Sequence, residues 1–176
     1  RMNERLLKPK NPRPARPRQP GGLHRLGWLL ARLIAAFLLI STALVVVYRF
    51  VPVPVTLTMI LDPNGITKSW TPLSRIDRNM VDAAIAGEDG KFCQHNGFDQ
   101  NAILKAWERN QEGGRIRGGS TISQQTAKNV FLWQGGGYLR KGLEAWFTVL
   151  IEAIWGKRRI IEVYLNVAET GIGTYG

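Results

Sequence analysis

Between Leu26 and Tyr48 the chain reads "LGWLLARLIAAFLLISTALVVVY", twenty-three residues interrupted by one charge, Arg32. No other stretch limits the fold so strongly. At ~1.5 Å per residue a helix of this length crosses a hydrocarbon core, and Arg32 is close enough to one end to snorkel to the headgroups. The core helix of a soluble domain seldom needs so long an unbroken apolar run. A cleaved signal peptide has the same basic front and apolar middle, but its apolar region is usually shorter, and only "RFVPVPV" follows here where an A-x-A site would be expected. The run therefore predicts a transmembrane helix over 26–50.

Charge orients that helix. Residues 1–25 hold eight Lys or Arg against one acid, Glu4, so seven of the eleven net positive charges precede the span. Such asymmetry keeps the N-terminus in the cytoplasm and sends everything after Phe50 to the far side, the periplasm in a bacterium. Five of the nine prolines also fall in this tail, "KPKNPRPARPRQP" among them, which predicts extended chain. A basic arm can bind nucleic acid or anionic lipid. Beside a membrane helix, topology is the better reading, and nucleic acid is not expected as a partner.

The lone cysteine, Cys93, forms no internal disulfide and is read as a small, semi-buried residue. No CxxC or paired His/Cys spacing offers zinc. The two histidines, His24 and His95, fall on opposite sides of the span, so no His-based metal site is expected.

Residues 51–73 read as a linker and a small hairpin: "VPVPV" is stiff, "VTLTMIL" alternates as a strand, "DPNG" turns, and "ITKSW" returns. From Ser74 the pattern becomes helical. Ser74 with Asp77 suggests a capping arrangement, Ile76, Met80, Ala83 and Ala84 share a face, and Glu88 arrives near the helix end. Asp99 is placed to cap a helix through "NAILKAWERN", which "EGGRIRGG" ends, and another helix starts around "STISQQTAKN". The clearest element runs from Leu139 to Trp155, with Leu139, Leu143, Trp146, Phe147, Leu150, Ile151 and Ile154 forming a wide apolar stripe. Arg140 and Glu144 fall at its edge with Lys141 beside them. A last helix, "KRRIIEVYLNV", follows Gly156. Residues 74–176 thus form a mainly α-helical domain.

The acids inside this basic chain draw attention to "EDGKFCQHNGFD", residues 88–99. Glu88 closes a helix between glycines, and Phe92 is placed to desolvate it, which would raise a carboxyl pKa towards the range of a general base. "GGST" puts amides and hydroxyls at a helix start, the form of an anion cradle. Lys128, Arg140 and Lys141 are cations of the kind that hold phosphate. Local chemistry therefore suggests a carboxylate base facing an anionic, phosphorylated substrate.

The stretches "EDGKFCQHNGFD", "GGSTISQQTAKNVFL", "RKGLE" and "KRRIIEVYLNVAETGIGTYG" resemble, in order and spacing, the signature blocks of the peptidoglycan glycosyltransferases, the bacterial family that polymerises lipid II. The single span and the last block look more like its monofunctional biosynthetic branch than the glycosyltransferase half of a bifunctional penicillin-binding protein. The resemblance implies a lysozyme-like α-helical fold with its cleft on the membrane surface. Glu88 matches the glutamate that deprotonates the acceptor's 4-hydroxyl. Glu144 matches a second essential glutamate near the donor diphosphate, whose role stays open between positioning, a metal contact and stabilising the leaving group. Ser120, Gln125, Lys128, Arg140 and Lys141 match donor-binding positions, while Asp89, Phe92 and His95 match residues that shape the site. Implied partners are lipid II, the nascent glycan strand and the bacterial inner membrane. The division or elongation machinery and a divalent cation, Mg²⁺ or Mn²⁺, are left open.

Two departures from the family pattern stand out. The loop "QGGGYLRK" has Gly135, Gly136 and Gly137 where many relatives carry a further basic residue, which predicts a weaker donor grip or a loop that orders on binding. Relatives also usually continue beyond the position of Gly176, so the domain is expected to be incomplete at its C-terminus. A lysozyme-like hydrolase or lytic transglycosylase is the rival enzyme reading.

Overall fold

The computed structural model describes residues 22–101, 104, 108 and 119–176. The expected helix through "NAILKAWERN" and its "EGGRIRGG" stop fall largely outside them. The chain divides into two compact units, 1–38 and 39–176. Helix α1, Gly22–Phe50, is long and apolar enough to cross a membrane. Only 11% of its most apolar stretch is buried, whereas a soluble core helix would be mostly covered.

The second unit is mostly helical. After α1 come a short α2 (Leu57–Ile60), a 3₁₀ turn (Leu73–Arg75), α3 (Arg78–Glu88), α4 (Ile122–Phe131), α5 (Tyr138–Ile154) and α6 (Lys157–Val167). Its core joins Ile122, Ala127 and Val130 of α4 to Phe147 and Ile151 of α5 and to Ile160, Val163 and Val167 of α6. Phe131 stacks on Phe147 with ring centres 4.4 Å apart. The stripe expected on α5 is buried at Phe147 and Ile151 and partly buried at Leu143, Trp146, Leu150 and Ile154, but Leu139 is exposed.

The hairpin expected between residues 55 and 70 does not form. Leu57–Ile60 is helical instead, capped by the Thr56 hydroxyl, with Met59 fully buried. Strand β1 (Thr67–Lys68) pairs in parallel with β3 (Thr174–Tyr175), and β3 pairs antiparallel with β2 (Glu169–Gly171), giving the order β1-β3-β2. Gly173, at a φ of 63°, closes the β2–β3 turn where a Cβ would lie 2.9 Å from the Gly65 carbonyl oxygen. The Tyr175 hydroxyl donates to Asp62 at 2.6 Å. That bond, first among its causes, lowers the Asp62 pKa, and burial raises that of Tyr175.

Helix α3 starts later than the Ser74 signal suggests. Asp77 is its cap, accepting from Asn79 N–H at 2.7 Å, because Ile76 is extended and separates the 3₁₀ turn from the helix. Its packed face is Val81, Ala84 and Ile85, while Met80 is exposed.

Candidate active site

Glu88 is the last residue of α3, and Asp89, in the C-cap position, turns the chain away. The two adjacent acids consequently enter opposite environments. Glu88 is exposed and accepts a hydrogen bond from Gln125 Nε2 of α4 at 2.9 Å. Asp89 is buried, takes His95 Nε2 at 2.9 Å, and accepts from the Ile122 amide at 3.1 Å. Gly97 N–H donates to His95 Nδ1, which leaves the ring proton on Nε2, facing Asp89. The Thr121 hydroxyl donates to the Gly97 carbonyl at 2.6 Å. Asp89 and His95 thus fasten the 88–99 loop to the start of α4.

This arrangement corrects two expectations. The first turn of α4 is not an open anion cradle, because the anion already there is the Asp89 carboxylate. Thr121 and Gln124 also exchange hydrogen bonds in a reciprocal capping box. Nor does Phe92 desolvate Glu88: its ring is 1% exposed and lies under the Lys157 ammonium, 4.5 Å from the ring centre. Cys93 is exposed rather than semi-buried.

The other carboxylate is held quite differently. Glu144, on the first half of α5, is 3% exposed. Arg140 Nη1 donates to its Oε2 at 2.7 Å, and Lys141 Nζ donates to Oε1. Lys141 also reaches the Ser120 hydroxyl at 3.4 Å. Arg140 Nε is buried and finds no acceptor among the described residues. Lys128 of α4 completes the group. Burial lowers its pKa, Glu144 opposes that effect, and Arg140 and Lys141 reinforce it. A phosphate arriving here meets three cations sharing one internal carboxylate.

Helix α4 joins the two halves. Gln125 touches Glu88 and Lys128 senses Glu144, and the two lie three residues apart, ~4.5 Å along a helix axis. Ser120, Gln125, Lys128, Arg140, Lys141, Glu88 and Glu144 are thereby linked through one helix, with Asp89, Phe92 and His95 behind it as support. Sequence reasoning missed Tyr164, whose pKa is raised to about 12 by burial and then by Glu88. It also missed the support at Glu152, which accepts from Ser123 and from Lys157. The Thr121/Gln124 capping spacing was the available signal for the start of α4; Glu152 had none, because its partners come from two other helices.

A divalent cation needs open carboxylate oxygens, yet both oxygens of Glu144 are occupied by cationic donors. Among the described residues no three His, Cys, Asp or Glu side chains cluster as a metal set. As held here, Glu144 is not free to ligate a divalent cation.

Residues 56–176 match the family model described as Transglycosylase. A biosynthetic peptidoglycan transglycosylase of Caulobacter vibrioides is 54% identical over 155 residues, covering 84% of this chain and 68% of that protein. Proteins with the same description from Pseudomonas fluorescens and Pseudomonas aeruginosa are each 49% identical, over 86% and 80% of this chain and 68% and 64% of their own lengths. The chain belongs to the transglycosylase family.

Proposed function

We propose that this peptidoglycan glycosyltransferase extends glycan strands from lipid II, with Glu88 as the base and the α4–α5 cations as the site of the leaving diphosphate. The donor is the growing strand, joined through its anomeric carbon to a polyprenyl diphosphate. The acceptor is the 4-hydroxyl of a lipid II sugar. Glu88 removes the hydroxyl proton as the oxygen attacks the anomeric carbon from the face opposite the diphosphate. One C–O bond forms, the bond to the diphosphate breaks with its electron pair, and configuration inverts. A sugar hydroxyl takes the place of water in an inverting glycosidase. Lys128, Arg140 and Lys141 meet the negative charge that develops on the diphosphate. Glu144 holds two of these cations in place, the positioning role among those open to it.

The observation that carries this reading is the division of labour between the two carboxylates. Glu88 is exposed beside an amide donor, while Glu144 is buried with both oxygens accepting from cations. Only Glu88 is presented to an incoming hydroxyl. Helix α1 supports anchoring in the bacterial inner membrane, with the basic tail cytoplasmic and the catalytic unit periplasmic. Both substrates would share that surface, which raises their effective concentration.

The test is incubation of the full chain with lipid II in detergent, with and without chelator, followed by separation of products. Glycan polymer is expected. Release of muropeptides from finished sacculi without any polymer would replace this reading with the hydrolase.

A further inference from the structure

Along one face of α5, Glu144, Thr148 and Glu152 recur every fourth residue and span ~12 Å of the helix axis. Glu144 holds Arg140 and Lys141 at one end of this row. At the other end the row meets the 88–99 loop at Gly97, which is buried and has a φ of 88°. The Thr148 hydroxyl donates to the Glu144 carbonyl at 2.7 Å, which fixes its rotamer and leaves its methyl against the glycine. A Cβ added to Gly97 would lie 2.6 Å from Thr148 Cγ2 and 3.1 Å from Glu152 Cγ, so the loop rests on α5 more closely than any side chain would allow.

Glu152 also ties this contact to two other helices. Its side chain is 9% exposed, and Oε1 accepts from the Ser123 hydroxyl of α4 and from Lys157 Nζ of α6, the latter at 2.7 Å. The same Lys157 ammonium lies over the ring of Phe92, the buried aromatic of the loop. The loop is therefore gripped at two points, Gly97 by the Glu152 stem and Phe92 through Lys157. Net stability is a weak reason for a nearly buried ion pair, because an apolar replacement of similar volume is often as stable.

We infer that Glu152 is a positioning residue for the reaction: it registers the loop that begins with Glu88 against α5, and so fixes the base relative to the cations gathered by Glu144 on the same helix. Attack on the anomeric carbon needs base and leaving group held in line, and a misplacement of ~1 Å in such an arrangement costs about 10²-fold in rate. Helix α5 carries a contact to each partner, Glu144 to the cations and Glu152 to the loop. Glu152 acts through Gly97, Lys157 and Ser123 rather than at the reacting atoms. This inference rests on the proposed roles of Glu88 and of the α4–α5 cations.

The test compares Glu152→Asp, which draws the carboxylate back by one methylene, with Glu152→Gln, which keeps the length and an oxygen for Ser123 and Lys157. In the full chain in detergent, nitroxides on Cys93, exposed in the loop, and on a cysteine placed at Val149, 52% exposed on α5, report the distance from loop to helix by pulsed electron double resonance. The parent and Glu152→Gln are expected to share one narrow distribution, and Glu152→Asp to shift or broaden it. Without labels, Glu152→Asp should polymerise lipid II about 10–100-fold more slowly at saturating substrate, with donor-site ligand affinity within about twofold of the parent and Glu152→Gln within about threefold in rate. An unshifted distribution in Glu152→Asp overturns the inference and leaves the proposed reaction standing. A rate that falls only in step with donor affinity and thermal midpoint also overturns it, because a merely structural role would move all three. A shifted loop with parental polymerisation refutes Glu88 as the base, and the positioning role falls with it.

Discussion

Replacing Glu88 by Gln removes a proton acceptor while changing little else. Gln125 Nε2 donates to Glu88 Oε2 at 2.9 Å, and a glutamine side chain keeps an oxygen at that position, so the contact with α4 survives. The residue is exposed, ends its helix and belongs to none of the observed ion pairs. Substitutions of that kind shift stability by about 0.5 kcal/mol or less. The chemical step loses its base, which is worth ~10²–10⁴ in rate, or about 2.7–5.5 kcal/mol of activation free energy. Initial rates of lipid II polymerisation should fall by that factor, while donor-site ligand binding and the thermal midpoint in detergent remain within error of the parent. A variant polymerising within tenfold of the parent would remove Glu88 as the base. A rate loss accompanied by a matching fall in stability would refute the claim that the site keeps its shape.

Other expectations follow from particular contacts. Asn166 is fully buried, donates to the Thr71 carbonyl at 2.8 Å and accepts from the Thr71 amide at 2.7 Å; Asn166→Ala leaves both unmet and should cost about 2–4 kcal/mol in denaturant unfolding, with a cost under ~1 kcal/mol counting against the bridge. At Gly136, with a φ of 91°, an added Cβ would lie 3.2 Å from Arg140 Cβ and 3.3 Å from Trp133 Nε1, whereas Gly137 is open; Gly136→Ala should weaken donor-ligand affinity and Gly137→Ala should not, measured by titration. Burial lowers the Lys68 pKa to about 8, so between pH 8 and the ordinary lysine value the unfolded chain binds more protons and this group's contribution to stability rises with pH. Unfolding of Lys68→Met across that window should lack the rise; an identical slope would refute it.

The readable parts of this sequence were those set by neighbours along the chain. The long apolar helix α1 follows from length and apolarity, and α5 follows from a periodic stripe. The Arg140–Lys141–Glu144 group follows from positions three and four apart on one helix. The missed features join distant segments. Thr67 pairs with Thr174, so no local turn could reveal where β1 belongs. Asp89 reaches Ile122, and in doing so fills the helix start that amide spacing alone offers to a ligand. Leu139 failed for a different reason. Periodicity locates an apolar face but does not say how far along it the protein's own core reaches.

The fates of Glu88 and Glu144 also bear on the choice between making and cutting glycan. Cutting a β-1,4 bond releases a sugar alkoxide, which needs a proton, and a retaining or inverting hydrolase supplies it from one carboxyl while a second acts on the other face. In this chain the second carboxyl points both oxygens at cationic donors, so it is not free to act at the sugar. A diphosphate carries its own charge away and needs cations where an alkoxide needs an acid. The buried carboxylate matches that requirement, because it gathers Arg140 and Lys141 at one face beside Lys128 and so stores positive charge that an uncompensated cluster would repel. With Glu88 as the proposed base, one exposed carboxylate and one committed to organising cations match transfer from a lipid diphosphate, whereas cleavage by water calls for a second free carboxyl.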